Sequence, residues 1–279
     1  MSTIALEPFG RCIYCDATRY SNEREKLARE HLIPQAINGR LILPEASCGD
    51  CEKKINRFER YCGQKIFGPL RYSLGLDTKR PKERPTHLPV EFLIGEEWIE
   101  YQVPVKIAPI TLILPHYRIP GAFDDRDPAE DFMCKEYIFR PLIDPRINDF
   151  AASIGAKSGR TYRAEVEAGK FALLLAKISH GFAMDKLGRN PGFTPVLKDL
   201  IRQEPSPYSL AYFVGAGPEI EYHEKRPIHV VQIDSEELVG GGFLVFIRLR
   251  LFANLETPTY IIIVGTSLAR TGALVTVTP

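Results

Sequence analysis

Four cysteines in two CxxC pairs constrain the fold of this chain more than any other feature. Cys12 and Cys15 form the first pair, Cys48 and Cys51 form the second, and 32 residues lie between the pairs. Each pair offers two thiolate ligands from one tight turn, and a tetrahedral zinc ion takes four such ligands. The spacing therefore predicts a structural zinc site formed by all four cysteines. Two disulfides are the alternative, which a reducing compartment disfavours.

The length and composition indicate an ordinary globular protein. The chain has 279 residues, of which 44% are hydrophobic and 25% charged, enough for one large domain or two modest ones. Its apolar runs are too short, or too interrupted by arginine, to cross a bilayer. The first 15 residues lack the basic-then-apolar order of a signal peptide. We therefore expect a cytoplasmic protein with no membrane partner.

A stretch rich in proline and basic residues, residues 78–89, predicts a linker. It would separate an N-terminal module, residues 1–77, from a larger domain, residues 90–279. A module of this size buries little apolar surface, so we expect the metal to contribute much of its stability.

Positive charge is concentrated in the N-terminal part. Residues 1–85 carry 16 Lys and Arg against 11 Asp and Glu, whereas the rest of the chain carries 20 against 24. This imbalance suits a polyanion whose phosphates the basic groups neutralise, and a solvated helix face is the alternative. Lys53, Arg57 and Arg60 recur at helical spacing and form one stripe, which we expect to bind DNA. RNA is the alternative nucleic-acid partner.

The residues between the cysteine pairs predict two strands followed by a helix. "LAREHLIP" reads as a strand ending at Pro34, "GRLILP" as a strand ending at Pro44, and "ASCGDCEKKINRFERYCGQKIF" as a cysteine turn that passes into a helix. His31 would lie at the end of the first strand, directly after Glu30. Glu52 and Asn56 share one helix face, so either could reach a cation held beside Glu30.

Three segments, "CIYC", "REHLIPQAINGRLILPEASCGDC" and "NRFERYCGQKIFGPLRYSLGL", resemble the HNH endonucleases, in the branch with two CxxC zinc pairs. The resemblance covers about residues 10–76. It implies a ββα-metal nuclease in which His31 is the general base and Glu30 binds a divalent cation, Mg²⁺ or Mn²⁺. Relatives often place Asn or His where this chain has Glu52, so Glu52 and Asn56 both stay open as the helix ligand. No residue is assigned to orient His31.

Phosphodiester hydrolysis explains why these residue types would occur together. The attacking water must lose a proton near neutral pH, which suits an imidazole, and a hard cation with oxygen ligands neutralises the leaving oxygen. A zinc-stapled nucleic-acid-binding protein without turnover is the alternative function. Such a binder would also have a basic helix, but it would not need Glu30, His31 and a helix ligand at one cation site.

The second part of the chain predicts an α+β domain, so the fold class is α+β: a zinc-stapled ββα module followed by a larger α+β domain with an antiparallel sheet. Three runs, "PIHVVQIDS", "GGFLVFIRLRLFA" and "PTYIIIVGT", predict strands of that sheet. "TYRAEVEAGKFALLLAKISHGFAMDKLG" predicts a helix that stops at Gly188, with His180 as a core residue. Cys62 and Cys134 are expected to be buried small apolar residues.

The role of residues 90–279 is open among target selection, sensing of a signal, and assembly with a second copy or a partner protein. Nothing in this region matches a nucleotide-binding loop. The arrangement is similar to that of bacterial defence nucleases, which makes a defence effector one expectation for the whole chain.

Overall fold

The computed structural model describes residues 3–76, 81–124, 134–161, 166–203, 207–222 and 227–277. The chain has an α+β fold with several antiparallel sheets. Its helices are α1 (Gly49–Tyr61), α2 (Gly68–Ser73), α3 (Arg146–Ser153), α4 (Ala168–Leu187), α5 (Lys198–Arg202) and α6 (Pro207–Phe213). Its strands are β1 (Ile4–Ala5), β2 (Ala28–His31), β3 (Leu41–Ser47), β4 (His87–Ile94), β5 (Glu97–Pro104), β6 (Ile110–Tyr117), β7 (Cys134–Leu142), β8 (Ser158–Thr161), β9 (Phe193–Pro195), β10 (Val214–Ala216), β11 (His229–Glu237), β12 (Phe243–Leu251), β13 (Tyr260–Ser267) and β14 (Ala273–Val277).

The N-terminal residues form the expected order of two strands and a helix. β2 runs antiparallel to β3, β1 lies parallel to β3 on its other side, and α1 follows β3 almost directly. The predicted end of β3 at Pro44 is wrong, because the strand continues to Ser47. Ala28 pairs with Ser47 while Glu30 pairs with Leu43, so the ladder is bulged at this point. A bulge accommodates a proline, which has no N–H to donate to the ladder.

The larger part contains the predicted antiparallel sheet. Its strands lie in the order β10-β13-β12-β11-β14, and β9 pairs with β13. The three predicted strands are confirmed as β11, β12 and β13. Along β12, Val245, Ile247 and Leu249 are buried and Arg248 is partly exposed, as expected for a strand whose successive side chains face opposite sides of the sheet. Arg250 is the exception on that face, since it is buried.

Helix α4 is buried around nearly its whole circumference. It contacts α1 of the N-terminal part and β13 of the large sheet. One hydrophobic core includes Leu32 from the N-terminal part, Phe171 from α4 and Tyr260 from β13. The helix ends at Leu187 with Gly188 as its C-cap residue, which agrees with the predicted stop, but it begins at Ala168, so Val166 precedes it.

The division of the chain at residues 78–89 stays a prediction. Residues 78–80 lie outside the described part of the chain, and residues 87–89 are the first residues of β4. A smaller sheet, β5-β4-β8, packs with α3 around its own core, and β6 pairs with β7 as a hairpin. Within the described ranges, no helix has the length and apolar character needed to cross a membrane.

Two buried histidines connect the larger part to the N-terminal residues. His180 on α4 donates from Nε2 to the carbonyl oxygen of Ile13 at 2.8 Å, which confirms it as a hydrogen-bonded core residue. His229 on β11 donates from Nε2 to the carbonyl oxygen of Ile37 at 2.7 Å, and its Nδ1 accepts from the amide of Phe252 at 3.2 Å. Burial lowers the pKa of both imidazoles to about 4. Both histidines are therefore neutral in the folded protein.

Substitution of His229 by glutamine tests this link through its pH dependence. The unfolded chain protonates His229 as the pH falls below about 6.5, whereas the folded imidazole stays neutral down to about 4. Stability is therefore present at neutral pH and lost as the pH falls, by about 2 kcal/mol between pH 7 and pH 5 from this residue alone. In urea denaturation, His229→Gln should show a smaller acid loss than the wild type. His116→Gln, at a partly exposed position, is the control, and an equal loss in all three proteins would contradict the assignment.

Candidate metal centre and adjoining cleft

The four cysteines of the two CxxC pairs come together at the N-terminus of α1. Cys48 is the N-cap residue of α1 and Cys51 lies in its first turn, while Cys12 and Cys15 belong to a tight turn before β2. Their sulfur atoms all lie within 4.8 Å of one another, and the Sγ atoms of Cys15 and Cys48 are 3.5 Å apart. Sulfur atoms around a tetrahedral zinc ion are about 3.8 Å apart, from a Zn–S bond of about 2.3 Å. The cluster therefore fits a structural Zn²⁺.

The chemistry of the cluster also fits a metal. All six cysteines of the chain are free thiols, so the disulfide alternative is not found. A hydrogen bond from the Cys51 thiol lowers the pKa of Cys12 to about 5, although burial opposes the charge. The same contact raises the pKa of Cys51. Thiolate is the form that binds zinc, and the N-terminal end of a helix favours negative charge.

The remaining two cysteines differ from each other. Cys62 is fully buried after α1, as expected, and burial raises the pKa of its thiol. Cys134 is only partly buried at the start of β7, where it packs against the hydrophobic core, so the prediction of burial holds in part. Neither cysteine belongs to the metal cluster.

A cleft of ≈ 990 Å³ lies beside the cysteine cluster, between β2 and α1. Glu30 and His31 line it from the end of β2, and Glu52, Asn56 and Glu59 line it from α1. An irregularity in β2 lies just before Glu30. β2 ends at His31 rather than at the predicted Pro34, and its last two residues, Glu30 and His31, both line the cleft.

The carboxylate of Glu30 has a partner that sequence reasoning missed. The ammonium of Lys177, on α4, is 2.6 Å from Glu30 Oε1 and 2.9 Å from Glu59 Oε1, and it also donates to the carbonyl oxygen of His31. Burial raises the pKa of Glu30 to about 7 against the attraction of Lys177. Burial opposes the charge of Lys177 as well, but the two carboxylates outweigh it and raise its pKa.

The predicted cation ligands share the cleft without forming a tight cluster. Glu52 accepts a hydrogen bond from the hydroxyl of Tyr20 at 2.8 Å, which gives its carboxylate a partner on the cysteine side of the cleft. Within the described ranges, the cysteines form the one group of three or more His, Cys, Asp or Glu residues whose ligand atoms all lie within 4.8 Å. The ligand atoms of Glu30, His31 and Glu52 therefore do not all lie within 4.8 Å of one another, and Asn56 is exposed.

The predicted DNA-binding residues differ in their relation to the cleft. Lys53, Arg57 and Arg60 are all exposed, but of these only Arg60 lines the cleft. Further basic side chains line it from outside the predicted stripe: Arg24, Lys26, Arg29, Arg71 and Arg84. Charge counting identified the basic region, but not which of its residues face the cleft.

Removing one cysteine ligand should remove the metal. We expect one zinc ion per chain in the wild type, and its loss in Cys48→Ser, because zinc binding in small modules contributes folding free energy on the order of 10 kcal/mol. Metal analysis of the purified protein and its urea denaturation measure the two effects. Cys134→Ser is the matched control and should keep its zinc. A wild-type protein that is folded in its N-terminal part without zinc would contradict the assignment.

The site thus has two adjoining parts, the cysteine cluster and the cleft. Tyr20 connects them, since its hydroxyl contacts Glu52 and its carbonyl oxygen accepts from the amide of Gly49 at the start of α1. Comparisons with protein-family models, with curated proteins and with solved structures found no match to this chain.

Proposed function

We propose that this protein is a metal-dependent endonuclease of the HNH type, which hydrolyses phosphodiester bonds of DNA. One observation carries the proposal: Glu30 and His31 at the end of β2 line one cleft with the polar face of α1, next to a four-cysteine cluster. The sequence of "EHLIP" between two CxxC pairs supports the same conclusion by resemblance. A bacterial defence effector is one setting in which such an enzyme would act.

His31 is the general base in this proposal, and Glu30 is the strand ligand of a divalent cation, Mg²⁺ or Mn²⁺. Glu52 and Asn56 are the helix candidates, and the contacts of Glu59 add a third. The cation would supply charge neutralisation at the leaving oxygen. The chain itself would hold Glu30 through Lys177 and take the proton of the attacking water on the His31 imidazole.

A non-catalytic zinc-stapled protein that binds nucleic acid is the second candidate. The contact that favours it is the ammonium of Lys177, which already neutralises part of the charge of Glu30 and Glu59. Such a protein would retain the basic surface and the zinc cluster without turnover. The two candidate functions differ in the role of His31, which is the general base in the nuclease and has no catalytic role in the binding protein.

Substitution of His31 by alanine should abolish cleavage and leave DNA binding nearly intact. Loss of a general base typically lowers the rate about 10²- to 10⁴-fold. The measurement is cleavage of plasmid DNA by the full chain in Mg²⁺ or Mn²⁺, with binding measured separately by fluorescence anisotropy.

His116→Ala is the matched control for this experiment. The Nδ1 atom of His116 is 2.9 Å from Glu136 Oε1, but this histidine lies on β6 and does not line the cleft. The His116→Ala variant should cleave DNA at the wild-type rate. A wild type that cuts no duplex, nicked or single-stranded DNA, yet binds it, would favour the binding protein instead.

The basic stripe of α1 gives a separate prediction about binding. Replacing Lys53, Arg57 and Arg60 together by alanine should weaken binding about equally for unrelated DNA sequences, because phosphate contacts carry no base information. The log–log dependence of affinity on salt should flatten by roughly one unit for each phosphate that the variant no longer neutralises.

Three exposed lysines outside the N-terminal part serve as the control for the stripe: Lys106, Lys135 and Lys157. Their replacement removes the same amount of positive charge and should leave the salt dependence unchanged. Equal slopes in the stripe variant and in the wild type would show that the stripe is a solvated face.

A further inference from the structure

The ammonium of Lys177 is surrounded by acceptors that belong to the N-terminal part. It contacts Oε1 of Glu30 and Oε1 of Glu59, and it donates to the carbonyl oxygen of His31. A lysine ammonium has three donor protons. The ammonium therefore has two carboxylate oxygens as ion-pair partners and one carbonyl oxygen as a hydrogen-bond acceptor.

This ammonium is buried beside two carboxylates that line the cleft. Lys177 lies in the middle of α4, and its side chain has no exposed surface. Its helical neighbours Ala176 and Ile178 are fully buried as well. The surrounding core encloses this side chain, so the charge lies beside Glu30 without access to solvent.

The charge balance of this group limits what the cleft can bind. Glu30 and Glu59 carry two negative charges when ionised, and Lys177 cancels one of them. A divalent cation that approaches Glu30 from the cleft meets one net negative charge together with a fixed positive charge a few ångströms away. Like charges repel strongly in a partly buried site, where the effective dielectric constant is well below that of water.

We propose that Lys177 is a built-in cation that sets the affinity of the cleft for a divalent metal ion. It weakens metal binding in the free protein by opposing a second positive charge beside Glu30. The proposal takes its cation site from the proposed nuclease function, but it concerns metal binding alone and is tested without DNA cleavage.

A phosphate group of the substrate is expected to strengthen metal binding in the cleft. A phosphate group in the cleft would add negative charge next to the metal ion and offset the repulsion from Lys177. Metal ion and polynucleotide should therefore bind with positive coupling, and the coupling is reciprocal for the two ligands.

The test is the affinity of the zinc-loaded full chain for Mn²⁺, measured by electron paramagnetic resonance. Lys177→Met keeps the length of the side chain and removes its charge, so it should bind Mn²⁺ at least about tenfold tighter than the wild type. Lys177→Arg keeps the charge and should bind like the wild type. A merely structural role for Lys177 would not produce tighter binding, because damage to a site weakens it.

Lys186→Met is the matched control on the same helix. Its ammonium pairs with Asp185 at 3.0 Å and is 43% exposed. This variant should bind Mn²⁺ like the wild type. Lys177→Gln, whose amide still donates hydrogen bonds, replaces the methionine variant if that protein does not fold, and the same tightening is expected.

Unchanged or weaker Mn²⁺ binding in the folded, uncharged variant would overturn the proposal. Failure of the nuclease proposal gives a different result. In that case the wild type cleaves no DNA, while the tightening of Mn²⁺ binding on removal of the Lys177 charge is still observed.

Discussion

The burial of helix α4 is the constraint on which both the fold and the cleft depend. The helix contacts α1 on one side and β13 on another, so Lys177, Ser179 and His180 in its middle have no access to water. A buried charge or imidazole costs several kcal/mol unless it has partners. Lys177 and His180 find those partners in the N-terminal part, at Glu30, Glu59 and a backbone carbonyl. The same helix therefore closes the hydrophobic core and joins the cysteine turn to the rest of the chain.

Local patterns predicted much of this architecture. CxxC spacing identified the four-cysteine cluster, since two short-range turns bring each pair together wherever the rest of the chain goes. Alternation along "GGFLVFIRLRLFA" identified β12, and the long apolar run ending at Gly188 identified α4. The end of β3 was harder to predict, because a proline such as Pro44 normally ends a regular strand and a bulge cannot be predicted from residue types alone.

The cleft was only partly predictable, for a physical reason. Glu30, His31, Glu52 and Asn56 were identified from segments that lie close together in sequence, and they line one cleft. Lys177 contacts His31 across 146 residues of sequence, and nothing within α4 marks a lysine among apolar residues as the partner of a distant glutamate. Glu59 had a weaker signal, since it lies seven residues after Glu52 and so falls near the same helix face. Long-range ion pairs of this kind appear only when the tertiary packing is known.

Lys177 belongs to α4, which is synthesised after the residues that it contacts in the N-terminal part. Residues of the cysteine turns, β2 and α1 leave the ribosome before α4, and earlier segments generally begin to fold before the rest is synthesised. Glu30 and Glu59 have no ammonium beside them at that stage, and Ile13 has no imidazole donor. Both arrive only when α4 has emerged and packed against α1. The residues that line the cleft therefore precede α4 in the sequence, but their contacts are completed only after α4 has been synthesised.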